Sequence, residues 1–347
     1  MYKLIIRPLF FLFNPEWVHY FTLNTLKLIG KIPFGSTVIK SVYCKNLPSL
    51  EKEVFGLKFK NPVGLAAGFD KNGKYINELA DFGFSFIEIG TVTPKPQDGN
   101  PKKRLFRLVK DNAIINRLGI NNDGAKVIAE RIKKTNTNVI IGGNIGKNTA
   151  TSNDLAADDY LENFKTLHPH VDYFALNVSC PNVSNFTKLQ DVEFLKKLIP
   201  QLKKINSHQE KIKPILIKIS PDLNHKQLDQ TIDLIKKEEL DGIIATNTTT
   251  KRIGLNTNEK ELEKIGNGGL SGRPLNRNST DVIRYISKKT NKTIPIIGVG
   301  GIMSPKDALD KIKAGADLIQ LYTGFIYSGP NIVKEINKYL IKKNNES

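Results

Sequence analysis

A loop that carries a thiol between two carboxamides is the clearest candidate for chemistry in this chain. It is the segment Leu176-Asn177-Val178-Ser179-Cys180-Pro181-Asn182, which follows a short apolar run. A thiol has an ordinary pKa of about 8.5, so a fraction of it is thiolate near neutral pH, whereas a hydroxyl stays protonated. A thiol is therefore a much better base than a hydroxyl at this pH. A single buried cysteine is more often a core residue, but the polar neighbours of Cys180 favour a catalytic role.

Two further features could hold a flat, phosphorylated ligand. The segment Gly64-Leu65-Ala66-Ala67-Gly68-Phe69-Asp70-Lys71 puts small residues where a ligand could approach the backbone, and a cation follows them. Glycines recur in Gly268-Gly269-Leu270-Ser271-Gly272-Arg273-Pro274 and in Gly298-Val299-Gly300-Gly301-Ile302. Glycine-rich loops expose backbone N–H groups to phosphate. We therefore expect a phosphorylated flat cofactor above a small polar substrate, and flavin mononucleotide (FMN) is the natural candidate.

Eight short apolar runs supply the elements that would position these residues. They are Pro62–Gly68, Phe84–Gly90, Val139–Ile145, Tyr173–Val178, Pro214–Ile219, Gly242–Thr246, Ile294–Val299 and Leu318–Tyr322. Helical patterns lie between them, as at Leu195–Lys204 and Gln227–Lys237. Eight such units predict an α/β fold, a (β/α)8 TIM barrel over residues 62–324. A doubly wound sheet is the alternative, but Gly64–Phe69 lacks its G-x-G-x-x-G fingerprint.

The first 61 residues lie outside this repeat and form an N-terminal helical extension. Asn14 and Pro15 are typical of an N-cap and a first helical residue. The apolar residues that follow are mixed with lysines, which suits either a helix packed on the barrel or a segment at an anionic lipid surface. The run Leu4–Phe13 is interrupted by Arg7 and is far too short to span a bilayer.

The composition narrows the classes of partner. The 347 residues contain 52 Lys and Arg against 34 Asp and Glu, a net charge of +18, which suits nucleic acid, anionic membranes or small anions. The charge is spread along segments such as Lys126–Lys134 and Lys196–Lys204, without aromatic residues for stacking, so we expect no nucleic acid. Two cysteines cannot build a disulfide framework, and no Cys/His spacing predicts a metal.

Nearly the whole chain resembles the dihydroorotate dehydrogenase family, in its membrane-associated, quinone-linked class 2 form. Besides the three glycine-containing segments above, the resemblance rests on Ile87-Glu88-Ile89-Gly90-Thr91-Val92-Thr93-Pro94, Asn116-Arg117-Leu118-Gly119-Ile120-Asn121-Asn122, Asn144-Ile145-Gly146-Lys147-Asn148, Ile217-Lys218-Ile219-Ser220-Pro221-Asp222 and Ala245-Thr246-Asn247-Thr248-Thr249.

The resemblance implies roles for individual residues. FMN would be held by Ala67, Thr91, Asn144, Asn177, Lys218, Thr246, Gly272, Gly301, Tyr322 and Thr323. Dihydroorotate would contact Lys71, Asn116, Arg117, Leu118, Gly119, Ile120, Asn177, Asn182, Asn247 and Thr248. Cys180 would be the catalytic base. The implied reaction oxidises (S)-dihydroorotate to orotate in de novo pyrimidine biosynthesis, with electrons passing through FMN to a membrane quinone.

The resemblance also implies an organisation of the chain. Residues 1–45 would form a quinone tunnel and contact the membrane, residues 46–61 would connect them to the barrel bottom, and residues 62–347 would be the FMN-binding barrel with its C-terminal helix. We expect a peripheral protein on the cytoplasmic side of the cell membrane, and a monomer.

One residue departs from the class 2 pattern. That class has serine at the position of Cys180, whereas the soluble class 1 enzymes have cysteine there. A soluble fumarate- or NAD-linked enzyme is therefore an alternative, and a flavin barrel that reduces uridine in transfer RNA is another. The N-terminal extension and the sequence Gly68-Phe69-Asp70-Lys71 favour class 2.

Overall fold

A closed barrel of eight parallel strands is the centre of the molecule, as predicted. The computed structural model describes residues 1–45, 47–178 and 192–346. Within these ranges the strands are β1 (Lys52–Val54), β2 (Leu57–Phe59), β3 (Val63–Leu65), β4 (Phe86–Val92), β5 (Leu105–Leu108), β6 (Ala113–Asn116), β7 (Ile140–Ile145), β8 (Tyr173–Asn177), β9 (Ile215–Ile219), β10 (Gly242–Ala245), β11 (Gly269–Gly272), β12 (Ile296–Val299) and β13 (Leu318–Leu321). The barrel order is β3-β4-β7-β8-β9-β10-β12-β13, and each of the eight predicted apolar runs contains or overlaps one of these strands.

Helices surround the barrel and precede it. They are α1 (Arg7–Phe11), α2 (Pro15–Lys31), α3 (Gly35–Tyr43), α4 (Ile76–Ala80), α5 (Ala125–Lys133), α6 (Ala156–Leu167), α7 (Val192–Ser207), α8 (His225–Lys237), α9 (Glu259–Ile265), α10 (Asn276–Lys289), α11 (Pro305–Ala314), α12 (Thr323–Ser328) and α13 (Ile332–Asn345). The predicted start of α2 is confirmed, because the Asn14 side chain accepts hydrogen bonds from the N–H groups of Glu16 and Trp17 at 3.0 and 3.1 Å.

A three-stranded antiparallel sheet, β11-β6-β5, lies outside the barrel and was not predicted. Its strands have four residues each, and Asn112, with a φ of 47°, turns the chain between β5 and β6. The segment Gly268–Pro274 was expected to be a loop, but its residues Gly269–Gly272 form β11 and pair with β6. Glycine and serine do not favour a strand, so this pairing depends on a partner distant in sequence.

The N-terminal helices are docked on the barrel by polar contacts. The Glu16 carboxylate pairs with the Arg104 guanidinium at 2.7 Å, and both side chains are about nine-tenths buried. The Arg7 side chain donates to the carbonyl oxygen of Tyr327 at 3.1 Å, and the Tyr2 hydroxyl donates to that of Ile326. Among the described residues, no helix is both long enough and apolar enough to cross a membrane.

The β1–β2 hairpin closes the end of the barrel at which the strands begin. The Phe59 ring packs edge-on against Phe86, the first residue of β4, with 5.2 Å between ring centroids. Phe55 packs 6.0 Å from Tyr173, the first residue of β8. Among the described residues this end is filled with apolar side chains, and the barrel opens to ligands at the opposite end, which we call the mouth.

A buried lysine joins α11 to α10 behind the mouth. The Lys311 ammonium group has no exposed surface and donates to the Asn276 carbonyl oxygen at 2.8 Å, to the Thr280 hydroxyl at 2.6 Å and to the Ser279 hydroxyl. Its burial lowers the pKa of Lys311 to about 7, although Asp307 and Asp281 act in the opposite direction. The folded protein therefore holds this proton less tightly than the unfolded chain does.

Replacing Lys311 by methionine is expected to flatten the pH dependence of stability. Between pH 7 and pH 10.5 the unfolded chain keeps this proton while the folded protein loses it, so the wild-type free energy of unfolding rises with pH, by up to about 1.4 kcal/mol per pH unit. Below pH 7 both states are protonated and this contribution is constant. Denaturant unfolding of both proteins across this range measures the slopes, and equal slopes would contradict the assignment.

Candidate active site

The carboxyl ends of the barrel strands open into one cavity of about 1000 Å³, its open mouth included. All ten residues predicted to hold a cofactor line it: Ala67, Thr91, Asn144, Asn177, Lys218, Thr246, Gly272, Gly301, Tyr322 and Thr323. All but Gly272 lie at or just beyond the ends of barrel strands that are far apart in the sequence and meet at one rim, as parallel strands in a barrel require; Gly272 ends β11, outside the barrel. Ser271 and Gly300, from the two predicted glycine-rich segments, also line the cavity, as does Gln320, which was not predicted as a site residue.

Most residues predicted to contact the substrate line the same cavity: Lys71, Asn116, Leu118, Gly119, Ile120, Asn177, Asn247 and Thr248. Arg117 is not among the lining residues. Its guanidinium lies 4.6 Å from the Phe106 ring and donates to the carbonyl oxygen of Ile265, so the side chain fastens β6 to the end of α9. Cys180 and Asn182 lie outside the described residues.

Hydrogen bonds fix the carboxamides on the cavity floor. The Thr91 hydroxyl donates to Asn144 Oδ1 at 2.6 Å and accepts from Asn177 Nδ2 at 2.7 Å. Asn247 Nδ2 donates to Asn177 Oδ1 at 3.4 Å. These bonds set which amide oxygens and nitrogens face the cavity, so the floor presents donors and acceptors in a fixed arrangement. Such an arrangement can recognise the alternating N–H and C=O groups of a planar heterocycle.

A buried ion pair lies below this floor. The Lys218 ammonium is 3.2 Å from Glu88 Oε1, and Glu88 has no exposed surface. Glu88 was not predicted as a site residue, although a charged residue inside the otherwise apolar strand β4 is a signal that the sequence contains. Lys218 lines the cavity whereas Glu88 does not, so the cation stands between the carboxylate and any bound ligand.

Two glycines line one side of the cavity. Both positions need glycine, because a side chain there would collide with neighbouring backbone. Gly301 has a φ of +70°, and a Cβ on it would lie 2.3 Å from the Cα of Asn276. Gly272 has a φ of +96°, and its Cβ would lie 2.4 Å from the carbonyl oxygen of Asn112. The Ser271 and Thr323 hydroxyls lie beside them, 2.8 Å apart. Close backbone and two hydroxyls make this side suitable for a phosphate group.

A second, smaller cavity adjoins the mouth on the side of the N-terminal helices. It encloses about 460 Å³ and shares Gly68, Lys71, Leu118 and Tyr322 with the first cavity. Helix α2 contributes Glu16, His19 and Tyr20 to its wall. The His19 ring packs edge-on against Phe69 at 5.0 Å, and burial lowers the pKa of His19 to about 4, so the ring is neutral at pH 7. His19 and Phe69 therefore form an uncharged part of this wall, whereas Glu16, Asp70, Lys71 and Lys74 give the rest of the cavity charged groups.

Sequence comparisons relate the chain to known oxidoreductases. The family model described as dihydroorotate dehydrogenase matches residues 49–343. A protein of Christiangramia forsetii named dihydroorotate dehydrogenase (quinone) is 54% identical over 344 residues, which cover 99% of each chain. A protein of Trichodesmium erythraeum with the same name is 44% identical over 365 residues, which cover 100% of this chain and 95% of that protein.

Solved structures resemble the whole fold. The dihydroorotate dehydrogenase of Eimeria tenella in complex with ferulenol matches with a TM-score of 0.84 and 34% identity, over 96% of this chain and 92% of that one. The ligand-free form of the enzyme from the same organism matches with a TM-score of 0.82 and 38% identity, over 87% of this chain and 89% of that one.

Proposed function

We propose that this chain, which belongs to the dihydroorotate dehydrogenase family and is an oxidoreductase of its quinone-dependent class, binds FMN across the barrel mouth. The bound FMN would carry electrons from dihydroorotate to the quinone. The reaction oxidises (S)-dihydroorotate to orotate for pyrimidine biosynthesis. The observation that carries the proposal is that the ten predicted cofactor residues line one cavity. The fumarate- or NAD-linked alternative is disfavoured by the names of the relatives, which are quinone-dependent.

The residues present fit FMN. When bound, FMN accepts two electrons from one substrate and delivers them to another. Gly272, Gly301 and Thr323 line one side of the cavity and can offer backbone N–H groups and a hydroxyl to the phosphate. Lys218 lines the floor and can stabilise negative charge that the isoalloxazine gains on reduction. The carboxamides of Asn144 and Asn177 can hydrogen-bond the polar edge of the ring.

The substrate would lie between the cofactor and the carboxamides. Asn116, Asn177 and Asn247 can donate to the ring carbonyls and accept from the ring N–H groups of a dihydropyrimidine. Lys71, which also donates to Asn121 Oδ1 at 3.0 Å, can pair with the substrate carboxylate. We assign Cys180 the removal of the C5 proton of the substrate.

The N-terminal helices would bring the quinone to the mouth from the membrane surface. Most of the large apolar side chains that are exposed in the described residues lie within residues 1–45, among them Leu4 at 83% and Phe34 at 78%. Exposed apolar residues next to lysines suit a peripheral contact with anionic lipid. The smaller cavity, between α2 and the mouth, gives the quinone ring a place beside the cofactor. We propose that the protein is attached to the cytoplasmic face of the cell membrane and that it is a monomer.

Anaerobic mixing of the purified protein with dihydroorotate tests the proposal. The protein should carry about one FMN per chain, and dihydroorotate should bleach its visible absorbance while orotate appears in equal amount. A protein that binds no flavin, or one whose flavin dihydroorotate does not bleach, would contradict the proposal.

Replacing Gly301 by alanine is expected to reduce the FMN content of the purified protein. The new Cβ would lie 2.3 Å from backbone, so the phosphate side of the cavity must shift. Gly254→Ala is the matched control, because Gly254 has the same φ of +70° but nothing within 4 Å of its added Cβ. FMN fluorescence after heat release gives the stoichiometry. Equal FMN content in the two variants would show that backbone strain, and not the cavity wall, determines the effect.

A further inference from the structure

The carboxylate of Glu88 lies inside the barrel below the cavity floor and is surrounded by hydrogen-bond donors. Its Oε1 accepts from Asn144 Nδ2 at 2.8 Å and from Lys218 Nζ at 3.2 Å. Its Oε2 accepts from Gln320 Nε2 at 2.7 Å and from the Tyr173 hydroxyl at 3.2 Å. These donors come from four strands, β7, β9, β13 and β8, and Glu88 itself is on β4.

This arrangement is that of a charged carboxylate. The two oxygens together accept four hydrogen bonds, one of them from the Lys218 ammonium group, and an ionised carboxylate can only accept. Burial and the nearby Glu88 charge hold the pKa of the Tyr173 phenol well above its ordinary value, so its hydroxyl keeps its proton and donates. A fully buried carboxylate without such partners would be strongly unfavourable.

The pair is also placed to act on the cavity. Lys218 lines the cavity beside Asn144 and Gln320, and these three residues all donate to Glu88, which does not itself line the cavity. Glu88 therefore holds three parts of the floor at once. Gln320 and Tyr173 fix its second oxygen, so the first is held in one position against Lys218.

We propose that Glu88 is a positioning residue for the oxidation-reduction reaction: it orients the Lys218 ammonium under the flavin and limits how strongly that cation favours the reduced cofactor. The inference rests on the proposed function, because it needs FMN above Lys218. Opposite charges 3.2 Å apart in a buried site compensate each other in large part. Removing the negative charge of Glu88 leaves the positive charge of Lys218 without that compensation, and a reduced flavin whose N1 is deprotonated carries one more negative charge than an oxidised flavin.

Glu88→Gln should therefore raise the midpoint potential of the bound flavin near pH 7, where Lys218 is charged and the reduced flavin is anionic. We expect at least a tenfold change in the ratio of reduced to oxidised flavin at a fixed potential, which for a two-electron couple is about 30 mV. A buried ammonium that has lost its carboxylate releases its proton more readily. The difference from wild type should therefore shrink as the pH rises, and a merely structural role would produce no such pH profile.

Tyr173→Phe is the matched control, because it removes one hydrogen bond to the same carboxylate and leaves its charge in place. Its midpoint potential should change much less than that of Glu88→Gln at every pH. Equal potentials in wild type and Glu88→Gln, or an equal rise in both variants, would overturn the proposal. Wild-type protein that holds no flavin, or whose flavin is not reduced by dihydroorotate, would contradict the proposed function instead.

If Glu88→Gln binds FMN weakly, a double-mutant cycle with Lys218→Met tests the pairing of the two side chains without a potential measurement. Denaturant unfolding of the full-length chain, with and without added FMN, measures the coupling of the two side chains. Lys218→Met alone leaves a buried charge without its cation and should destabilise the protein strongly. The double variant should be more stable than Lys218→Met, whereas additive effects of the two substitutions would overturn the pairing.

Discussion

Replacing Cys180 by alanine is expected to lower the rate of flavin reduction by dihydroorotate by about 10²–10⁴-fold, the usual contribution of a positioned general base. Alanine offers no group to take the C5 proton, and hydride transfer from C6 needs that proton to leave. Anaerobic stopped-flow mixing of the FMN-loaded protein with dihydroorotate follows the loss of flavin absorbance directly. FMN content should stay at the wild-type level.

Two further variants separate the role of the base from that of its surroundings. Cys180→Ser should keep part of the rate, with its pH profile moved to higher pH, because a hydroxyl gives up its proton far less readily than a thiol. Cys44→Ala should react at the wild-type rate. The Cys44 thiol follows α3 and donates to the carbonyl oxygen of Asp81 at 3.3 Å, away from the cavity lining. A wild-type rate in Cys180→Ala would remove Cys180 from the mechanism.

Deleting residues 1–45 is expected to abolish turnover with long-chain quinones and to leave reduction of the flavin by dihydroorotate intact. The deletion removes the α2 wall of the smaller cavity and most of the exposed apolar side chains of the described residues. The larger cavity draws none of its lining from residues 1–45. Steady-state turnover with a long-chain quinone in vesicles and stopped-flow flavin reduction measure the two halves of the reaction separately.

Point variants distinguish loss of membrane contact from loss of stability. Deletion leaves the buried Arg104 without Glu16, so the truncated barrel should also be less stable. Leu4→Ser combined with Phe34→Ser changes only exposed residues and should lower turnover with vesicle-borne quinone. Ile212→Ser is the matched control, since Ile212 is 72% exposed but lies before β9, outside residues 1–45. Undiminished turnover with long-chain quinone after deletion would contradict the proposed role of the extension.

The sequence predicts most of this fold because the fold follows from local patterns, and it predicts the cavity residues because the chain resembles a known family. Buried parallel strands are nearly continuous apolar runs, so eight of them could be recognised without knowledge of their partners. Barrel geometry then requires that residues such as Thr91 and Lys218 meet at the mouth. The start of α2 depends on one side chain, Asn14, whose effect is confined to the first turn.

What the sequence did not predict depends on contacts between distant residues. Strand β11 contains two glycines and exists because β6, about 150 residues earlier, pairs with it. Arg117 lies within a segment that lines the cavity, yet its side chain turns toward Phe106 and Ile265, and only the packed structure shows that direction. In the sequence, Glu88 is one charged residue within a strand. Only the structure shows that four donors from other strands surround its carboxylate.

Reoxidation of the reduced flavin is the most direct measurement of the central claim, that electrons pass from dihydroorotate through FMN to a quinone. The protein is first reduced anaerobically with dihydroorotate and is then mixed with a ubiquinone analogue, a menaquinone analogue or fumarate. We predict rapid return of the flavin absorbance with at least one quinone and none with fumarate. Rapid reoxidation by fumarate, with no reaction toward either quinone, would contradict the account.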